Sequence, residues 1–242
     1  MSIFNKARMG FLSKKKIANY LIYGIGEIVL VVIGILIAIT LNNKKQERDA
    51  QNQLRSYLQV YQQDLVQDST VIHEVLNDYI GERKQYFRMF LSDTVSAEMY
   101  AKNPQGYGLV LSYSPFTLQQ KGINLLEDYV NDNEVEQDTL ISTILANHRG
   151  YNNLLNETNR RISDDIDDNM IYFKNNEPWI ADILMGKLDN PAIMDYYLSD
   201  SYRARLAIHS TLVYGNLEPF LKGLQESNRV ILKEINSRLE SD

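Results

Sequence analysis

The side chains that could perform metal or acid–base chemistry lie far apart along this sequence. The three histidines are His73, His148 and His209, and none has a second metal ligand at helical spacing. His73-Glu74 is similar to the start of a zinc-protease helix, but Asn77 stands where the second histidine would be required. We therefore expect no metal site, and we interpret His209, which lies on an apolar helical face, as a core histidine.

The clustered charges also lack a pattern that would build a reactive site. The run Asp164-Asp165-Ile166-Asp167-Asp168 could attract Ca²⁺, but it lacks the central glycine and terminal glutamate of a calcium loop. We interpret it as a helix with a solvated acidic face, and the turn at Asn131-Asp132-Asn133 fails the same test. Four arginines would form an anion pocket only if separate helices joined them: Arg160, Arg161, Arg203 and Arg205.

No serine nucleophile, phosphate-binding loop or pair of catalytic carboxylates has supporting context in the sequence. The sequence therefore predicts neither an enzyme nor a bound cofactor.

Glu27 is the most informative ionisable residue, because it lies inside an otherwise apolar stretch. Between Ile17 and Leu41 there is no other Asp, Glu, Lys, Arg or His. As a helix these residues would span about 37 Å, which is enough to cross the core of a bilayer. A cleaved secretory signal would have a shorter apolar region and a small-x-small cleavage site. The stretch is therefore predicted to be a transmembrane signal anchor.

Seven residues of this segment are spaced alternately by four and three positions, which is typical of helix pairing. We call them the anchor seam: Tyr20, Gly24, Glu27, Val31, Gly34, Ala38 and Leu41. Gly34 and Ala38 form a small-xxx-small pair, which lets two helix backbones approach closely. We hypothesise that Glu27 packs in an interface of a homo-oligomer or against another membrane or envelope protein. Proton or ion conduction through Glu27, and an acid facing headgroups or water, remain open.

The distribution of charge predicts the orientation of the anchor. Residues 1–16 carry five basic residues and no acid, whereas three basic residues follow the anchor closely. The sequence thus predicts a cytoplasmic tail (1–16), an anchor (17–43) and an extracytoplasmic domain (44–242). Beyond Leu41 there are 20 basic and 30 acidic residues, so nucleic acid is not an expected partner. Without cysteine, the outer domain has no disulfides.

Apolar residues after the anchor recur at helical spacing. One helix is predicted from the bilayer to about Leu91, with a weak point at Gly81, and then a loop over 92–113. Ser114-Pro115 is predicted to begin a helix that ends at the polar turn of residues 131–133.

The C-terminal half is predicted to be mainly helical. A long helix is expected from about Glu134 to Phe173, short helices at Pro178 and Pro191, and a last helix over 201–239 that bends near Pro219. No sustained strand pattern occurs. The predicted fold is all-α, with one transmembrane helix continuing into an elongated antiparallel helical bundle.

The segment from Tyr20 to Asn43, YLIYGIGEIVLVVIGILIAITLNN, resembles the anchor of a family of uncharacterised small bacterial single-pass membrane proteins. The piece from Phe116 to Asn131, with Leu118-x-x-x-Gly122, is similar to a second recurrent element of that family. This chain departs from the family pattern after Asn43, where Lys44-Lys45-Gln46 stands in place of Trp-Asn-Glu. The resemblance implies a place in the bacterial cytoplasmic membrane with the outer domain in the envelope, and no established activity.

The sequence as a whole favours a membrane-anchored, non-enzymatic interaction module, either a scaffold or an accessory subunit of a membrane complex. A ligand-binding sensor that acts through a partner is the main alternative. A deep cavity lined by convergent polar groups would favour the sensor.

Overall fold

The computed structural model describes residues 14–133 and 138–241, and the side chains of residues 14–18, 20, 132 and 133 are not among those described. The structure is 86% helical, and no strand occurs among the described residues. The predicted all-α class is confirmed. The basic tail of residues 1–16 lies largely outside the described residues.

Nine α-helices follow one another along the described chain. Their bounds are α1 Lys14–Glu74, α2 Glu82–Phe90, α3 Ala97–Lys102, α4 Lys121–Asn133, α5 Thr139–Asn176, α6 Ile180–Leu184, α7 Pro191–Tyr197, α8 Asp200–Ser210 and α9 Glu218–Ser241. A 3₁₀ turn at Pro104–Gly108 follows α3. The contacts divide the chain into two compact units between Leu54 and Arg55, and the remaining description of the fold concerns the second unit.

Contacts between the first and last helical stretches show that they run in opposite directions. Arg55 donates to the carbonyl of Leu239 at 2.7 Å, and Lys84 pairs with Glu218 at 2.6 Å. Residue numbers thus rise along one stretch as they fall along the other. The same holds for α5, where Asn147 donates to Ser227 at 2.6 Å and Asp165 contacts His209 at 2.7 Å. The second unit is therefore an antiparallel helical bundle.

Two π-helical turns interrupt the long helices and contact each other. The first, π1, is Val75–Gly81 between α1 and α2, and the second, π2, is Thr211–Leu217 between α8 and α9. The hydroxyl of Tyr214 in π2 donates to the carbonyl of Ile80 in π1 at 3.2 Å. Pro219 lies two residues after the end of π2 and has no N–H for the carbonyl four residues earlier. The two positions that the sequence marks, Gly81 and Pro219, thus lie at or just after π turns.

Residues 109–120, which we call the strap, cross the bundle without forming a helix. Tyr79 and Arg83 donate to the carbonyl of Ser112 at 2.7 and 3.1 Å, and Asn159 donates to that of Phe116 at 2.7 Å. Side chains from neighbouring helices thus donate the hydrogen bonds that backbone N–H groups would donate to these carbonyls in a helix.

The strap overturns one predicted boundary, and α4 overturns another. Ser114-Pro115 does not begin a helix, because the strap continues to residue 120 and α4 starts at Lys121. Residues 131–133 are the last turn of α4, not a separate polar turn. The predicted helix start at Glu134 lies outside the described residues. Asp138 caps the next helix, accepting from the backbone of Leu140 at 3.0 Å.

Two groups of buried side chains are an aromatic cluster and an aliphatic cluster. The aromatic cluster joins α2, α7 and α8 to the 3₁₀ turn, and its tyrosine hydroxyls reach backbone carbonyls: Tyr197 donates to Tyr107 at 2.9 Å and Tyr202 to Gly106 at 3.0 Å. The aliphatic cluster surrounds the π turns and includes Ile72, Ile80, Leu155, Ile162, Val213, Leu217 and Leu221. Burial of these apolar surfaces is the main favourable contribution to the bundle.

Candidate functional site

The apolar segment at the start of the chain is helical throughout its described length. It contains the one helix among the described residues that is long and apolar enough to cross a membrane, and none of its most apolar window is buried within the chain. Its large side chains are exposed, as Leu30 is at 74% and Leu36 at 56%. A helix with this surface could serve as a membrane anchor.

The anchor seam lies on α1, so its spacing of three and four residues places it along one face of a helix. Glu27 and Val31 are exposed, and a Cβ atom added at Gly24 or Gly34 would meet nothing within 4 Å. Glu27 has no hydrogen-bond or ion-pair partner within the described part of the chain. Ala38 and Leu41 are likewise exposed, whereas the side chain of Tyr20 lies outside the described set. The role of this face stays a prediction.

The three histidines occupy different environments. His73 is exposed and contacts Asn77, and His148 is buried with its ring 6.1 Å from that of Tyr61. Burial lowers the pKa of His148, while the charges of Glu127 and Asp64 oppose that effect. No group of three or more His, Asp or Glu side chains that could hold a metal ion occurs within residues 14–133 and 138–241.

His209 is fully buried, which confirms its interpretation as a core histidine. Its Nδ1 atom lies 2.7 Å from Oδ2 of Asp165, and its ring stacks on Phe87 with 5.9 Å between centroids. Asn169 donates to the same Asp165 oxygen at 3.3 Å and accepts from Arg205 at 2.9 Å. These contacts form a polar network between α5 and α8.

The network corrects the interpretation of the acidic run. Asp164, Asp167 and Asp168 are exposed as expected, but Asp165 is half-buried and bonds to His209. The reason is geometric, since residue 165 lies on the side of α5 that faces α8. The run is therefore a solvated face with one carboxylate turned towards the core.

The four arginines do not share one acceptor. Arg160 and Arg161 pair with Glu157 at 2.9 and 2.7 Å, whereas Arg203 pairs with Asp93 at 2.6 Å. Arg205 bonds to Asn169, and its guanidinium lies 3.7 Å from the ring centroid of Tyr172. Because these groups are engaged separately, the arginines do not form the anion pocket that the sequence suggested.

A pair of buried carboxylates on α1 is a feature that sequence reasoning missed. Asp64 accepts from the backbone N–H of Gly122 at 2.5 Å, and Asp68 accepts from that of Gln119 at 3.1 Å. Both acids are at least 93% buried. Together they hold the end of the strap and the first turn of α4, whose N–H groups lack partners within the helix. An acid at position 68 of an otherwise apolar helical face was the available signal.

Gly122 allows this contact because α4 and α1 approach closely there. A Cβ atom at position 122 would lie 2.4 Å from Cα of Tyr61. The lack of room for a side chain explains why position 122 of the Leu118-x-x-x-Gly122 element is glycine.

Two clefts flank the strap. One has a volume of about 540 Å³ and includes Tyr113, Pro115 and Ile166; the other has a volume of about 410 Å³ and includes Tyr79 and Tyr86. Their arginines, Arg160 and Arg83, are already bonded to protein groups. The guanidinium groups that line the two clefts are thus engaged by the protein itself, and the sensor stays an untested alternative.

Comparison of the chain with family models, curated proteins and solved structures finds no match.

Proposed function

We propose that the protein is a membrane-anchored, non-enzymatic interaction module of the bacterial cell envelope. In this proposal its N-terminus is cytoplasmic, its helical bundle is extracytoplasmic, and α1 pairs through the anchor seam. The partner in the membrane is a second copy of the chain or another membrane protein. The resemblance of the anchor to that of small bacterial membrane proteins agrees with this location.

The observation that carries the proposal is the exposed anchor with one unpartnered carboxylate. A carboxylate within a bilayer is unfavourable by a few kcal/mol or more unless it is protonated or hydrogen-bonded, or lies near the headgroups. Glu27 shares its helical face with Gly24, Gly34 and Ala38, whose small side chains allow close backbone approach. Pairing along this face would remove Glu27 from lipid and pack the small residues.

Single cysteines provide a direct test, because the natural chain contains none. Gly34→Cys and Ala38→Cys, each placed separately in the full chain, are oxidised in native membranes. Both should form disulfide-linked species, since a disulfide requires Cα atoms within about 7 Å. Val29→Cys and Leu36→Cys lie on the opposite face and serve as controls. Equal cross-linking at all four positions would contradict pairing through the seam, and no cross-linking at any of them would contradict pairing with a second copy.

The mass of the linked species identifies the partner. A product of twice 28.0 kDa indicates a second copy, because this is the mass of one chain. A different partner would give a product of another mass, and only if it presents a cysteine at the contact; otherwise chemical cross-linking from the same cysteines replaces oxidation, and equal labelling on both faces of the helix would contradict the seam.

Glu27→Gln tests the role of the carboxylate. If Glu27 stabilises the interface, the substitution should reduce the cross-linked fraction at Gly34→Cys. An unchanged cross-linked fraction, combined with loss of a proton flux across reconstituted vesicles, would instead support conduction and contradict the interface role.

A further inference from the structure

The turn between α6 and α7 exposes apolar side chains to an unusual degree. Leu184 is 64% exposed, Met185 is 61% exposed and Leu188 is 38% exposed. All three lie within five consecutive residues. Isolated exposed apolar residues are ordinary, but a local group of large ones indicates an interaction site.

Hydrogen bonds hold this turn in one conformation. The N–H of Lys187 donates to the carbonyl of Asp182 at 2.7 Å, and that of Gly186 donates to Ile183 at 2.9 Å. Gly186 has φ = +74°. This is the Schellman pattern, which usually includes an apolar contact between the two ends of the motif. Here the residues at those two ends are Asp182 and Lys187, which are charged. The exposed apolar side chains of the turn are therefore not used in such a contact and are available to another molecule.

Core residues fix the turn on both sides. Trp179 before α6 is 5% exposed, with its ring 6.0 Å from that of Phe173, and Ile193 in α7 is fully buried. The exposed group is therefore displayed on a rigid base, which reduces the conformational entropy lost when a partner binds.

The chain on both sides of the turn is acidic. Between residues 174 and 200 there are two basic residues, Lys174 and Lys187, and five acids: Glu177, Asp182, Asp189, Asp195 and Asp200. All of these acids are described, and none forms an ion pair in the structure. Other acids, such as Glu157 and Glu218, are paired with arginine or lysine.

We propose that the α6–α7 turn docks into an apolar groove on a protein partner whose rim carries lysine or arginine. The apolar residues would enter the groove, and the unpaired acids would face the basic rim. A second copy is a poor occupant because the outer part of the chain is itself acidic, and an anionic lipid surface would repel the turn. This inference rests on the proposed function and adds the surface and the chemistry of its partner.

The test uses a photo-cross-linking amino acid placed at Leu184 or Met185 of the full chain in its own membranes. The control places the same group at Asn153, an exposed residue of α5. One discrete protein adduct is expected from each turn position and none from Asn153. Its yield should fall by about threefold or more at high salt, because exposed charges are then screened. Asp182→Asn with Asp189→Asn should produce a similar loss.

Binding of the identified partner then tests the apolar contacts. Leu184→Ser with Met185→Ser should weaken its Kd by about tenfold or more. Ile208→Ser, which alters a 56% exposed apolar residue of α8, should leave the Kd unchanged. Circular dichroism of each variant confirms that the fold is retained.

Several results would overturn the inference: an adduct at twice the mass of the chain, adducts with lipid alone, no adduct, or an adduct insensitive to salt and to both sets of substitutions. The Gly34→Cys cross-link is measured in the same membranes. If the Gly34→Cys cross-link forms while the turn gives no adduct, docking by the α6–α7 turn is wrong and the anchor pairing stands. If the Gly34→Cys cross-link does not form while the turn adduct does, pairing through the anchor seam is wrong instead.

Discussion

At the scale of single residues, Asp68 is a carboxylate held in an apolar environment by one backbone contact. Burial raises its pKa to about 6, the N–H of Gln119 opposes this, and the nearby charge of Asp64 adds to it. The usual value is 3.8, so the folded protein binds a proton at this site more readily than the unfolded chain does. The ionised form of Asp68 therefore lowers the stability of the folded state at neutral pH, and this stability is recovered by protonation as the pH falls from about 7 to 4.

Asp68→Asn should remove this pH dependence, because the amide keeps an acceptor oxygen for Gln119 and carries no charge. We expect the stability of the natural protein relative to the variant to fall by about 1–2 kcal/mol between about pH 4.5 and pH 7.5. Denaturant unfolding of both proteins at the two pH values measures the difference. Asp167→Asn, at an exposed position of α5, is the control and should show little such change. A constant difference between natural protein and variant would contradict the role of Asp68.

Gly122 and Gly150 form a matched pair of helical glycines. Gly122→Ala would place Cβ 2.4 Å from the Cα atom of Tyr61, so the two helices would have to move apart. A loss of about 3 kcal/mol is expected, at the upper end for overpacking because the obstacle is backbone. Gly150→Ala meets nothing within 4 Å and should stabilise α5 by about 0.5–1 kcal/mol. Thermal unfolding compares them, and equal effects would refute the close approach.

At the scale of elements, the strap depends on side chains of other helices for its conformation. Arg83 is the main one, donating to the carbonyls of Leu109 at 2.8 Å and Ser112 at 3.1 Å. Arg83→Lys keeps the charge but cannot reach both carbonyls with a planar fork. We expect a loss of about 1–2 kcal/mol and faster hydrogen exchange in the strap and its immediate neighbours. Arg88→Lys, at an exposed position of α2, should change neither quantity; equal exchange in both variants would argue against this role of Arg83.

The strap also shows where prediction from sequence failed. Periodic apolar residues correctly indicated α5 and the long first helical stretch, because helical periodicity is a local property. Ser114-Pro115 has the local features of a helix start, but Asn159 and Asp68 provide bonds to Phe116 and Gln119 from distant positions. Those tertiary contacts outweighed the local preference. The π turns were not predicted because one additional residue per turn leaves little trace in an apolar pattern.

The candidate sites likewise differ in whether they depend on neighbouring residues or on distant ones. The anchor seam could be read directly from the sequence, because its spacing and composition lie within 22 consecutive residues. The contact of Asp165 with His209 joins residues 44 positions apart, and that of Asp64 with Gly122 joins residues 58 apart. Such pairings depend on how helices pack, so a sequence can supply their candidate groups but not their partners.

At the scale of the whole molecule, the division between Leu54 and Arg55 predicts that the bundle folds without the anchor. The aromatic and aliphatic clusters lie beyond Leu54, and so does every ion pair found among the described residues. From Arg55 onward the chain carries 28 acidic and 17 basic residues, a net charge of −11 that favours solubility.

A fragment of residues 55–242 should therefore be soluble without detergent and should unfold cooperatively. Its unfolding midpoint is expected within about 3 °C of that of the full chain. A shift of this size corresponds to a change in unfolding free energy of about 1 kcal/mol in a domain of 150–250 residues, and of less than 1 kcal/mol in one of 60–100. Calorimetry of both forms under identical conditions makes the comparison. Aggregation or a much lower midpoint would mean that the anchor contributes to the stability of the bundle.

A fragment of residues 66–242 provides the matched control for that experiment. It lacks Leu58, Tyr61 and Leu65, each 2% exposed, and it also lacks Asp64, which holds the N–H of Gly122. Deleting three core side chains at about 2–5 kcal/mol each should lower stability by about 6–15 kcal/mol, which is comparable to the 5–15 kcal/mol typical of a whole domain. This shorter fragment should therefore be largely unfolded, with weak helical dichroism. If it instead unfolds at the same midpoint as the longer fragment, the first turns of the bundle contribute nothing and the boundary lies further along the chain.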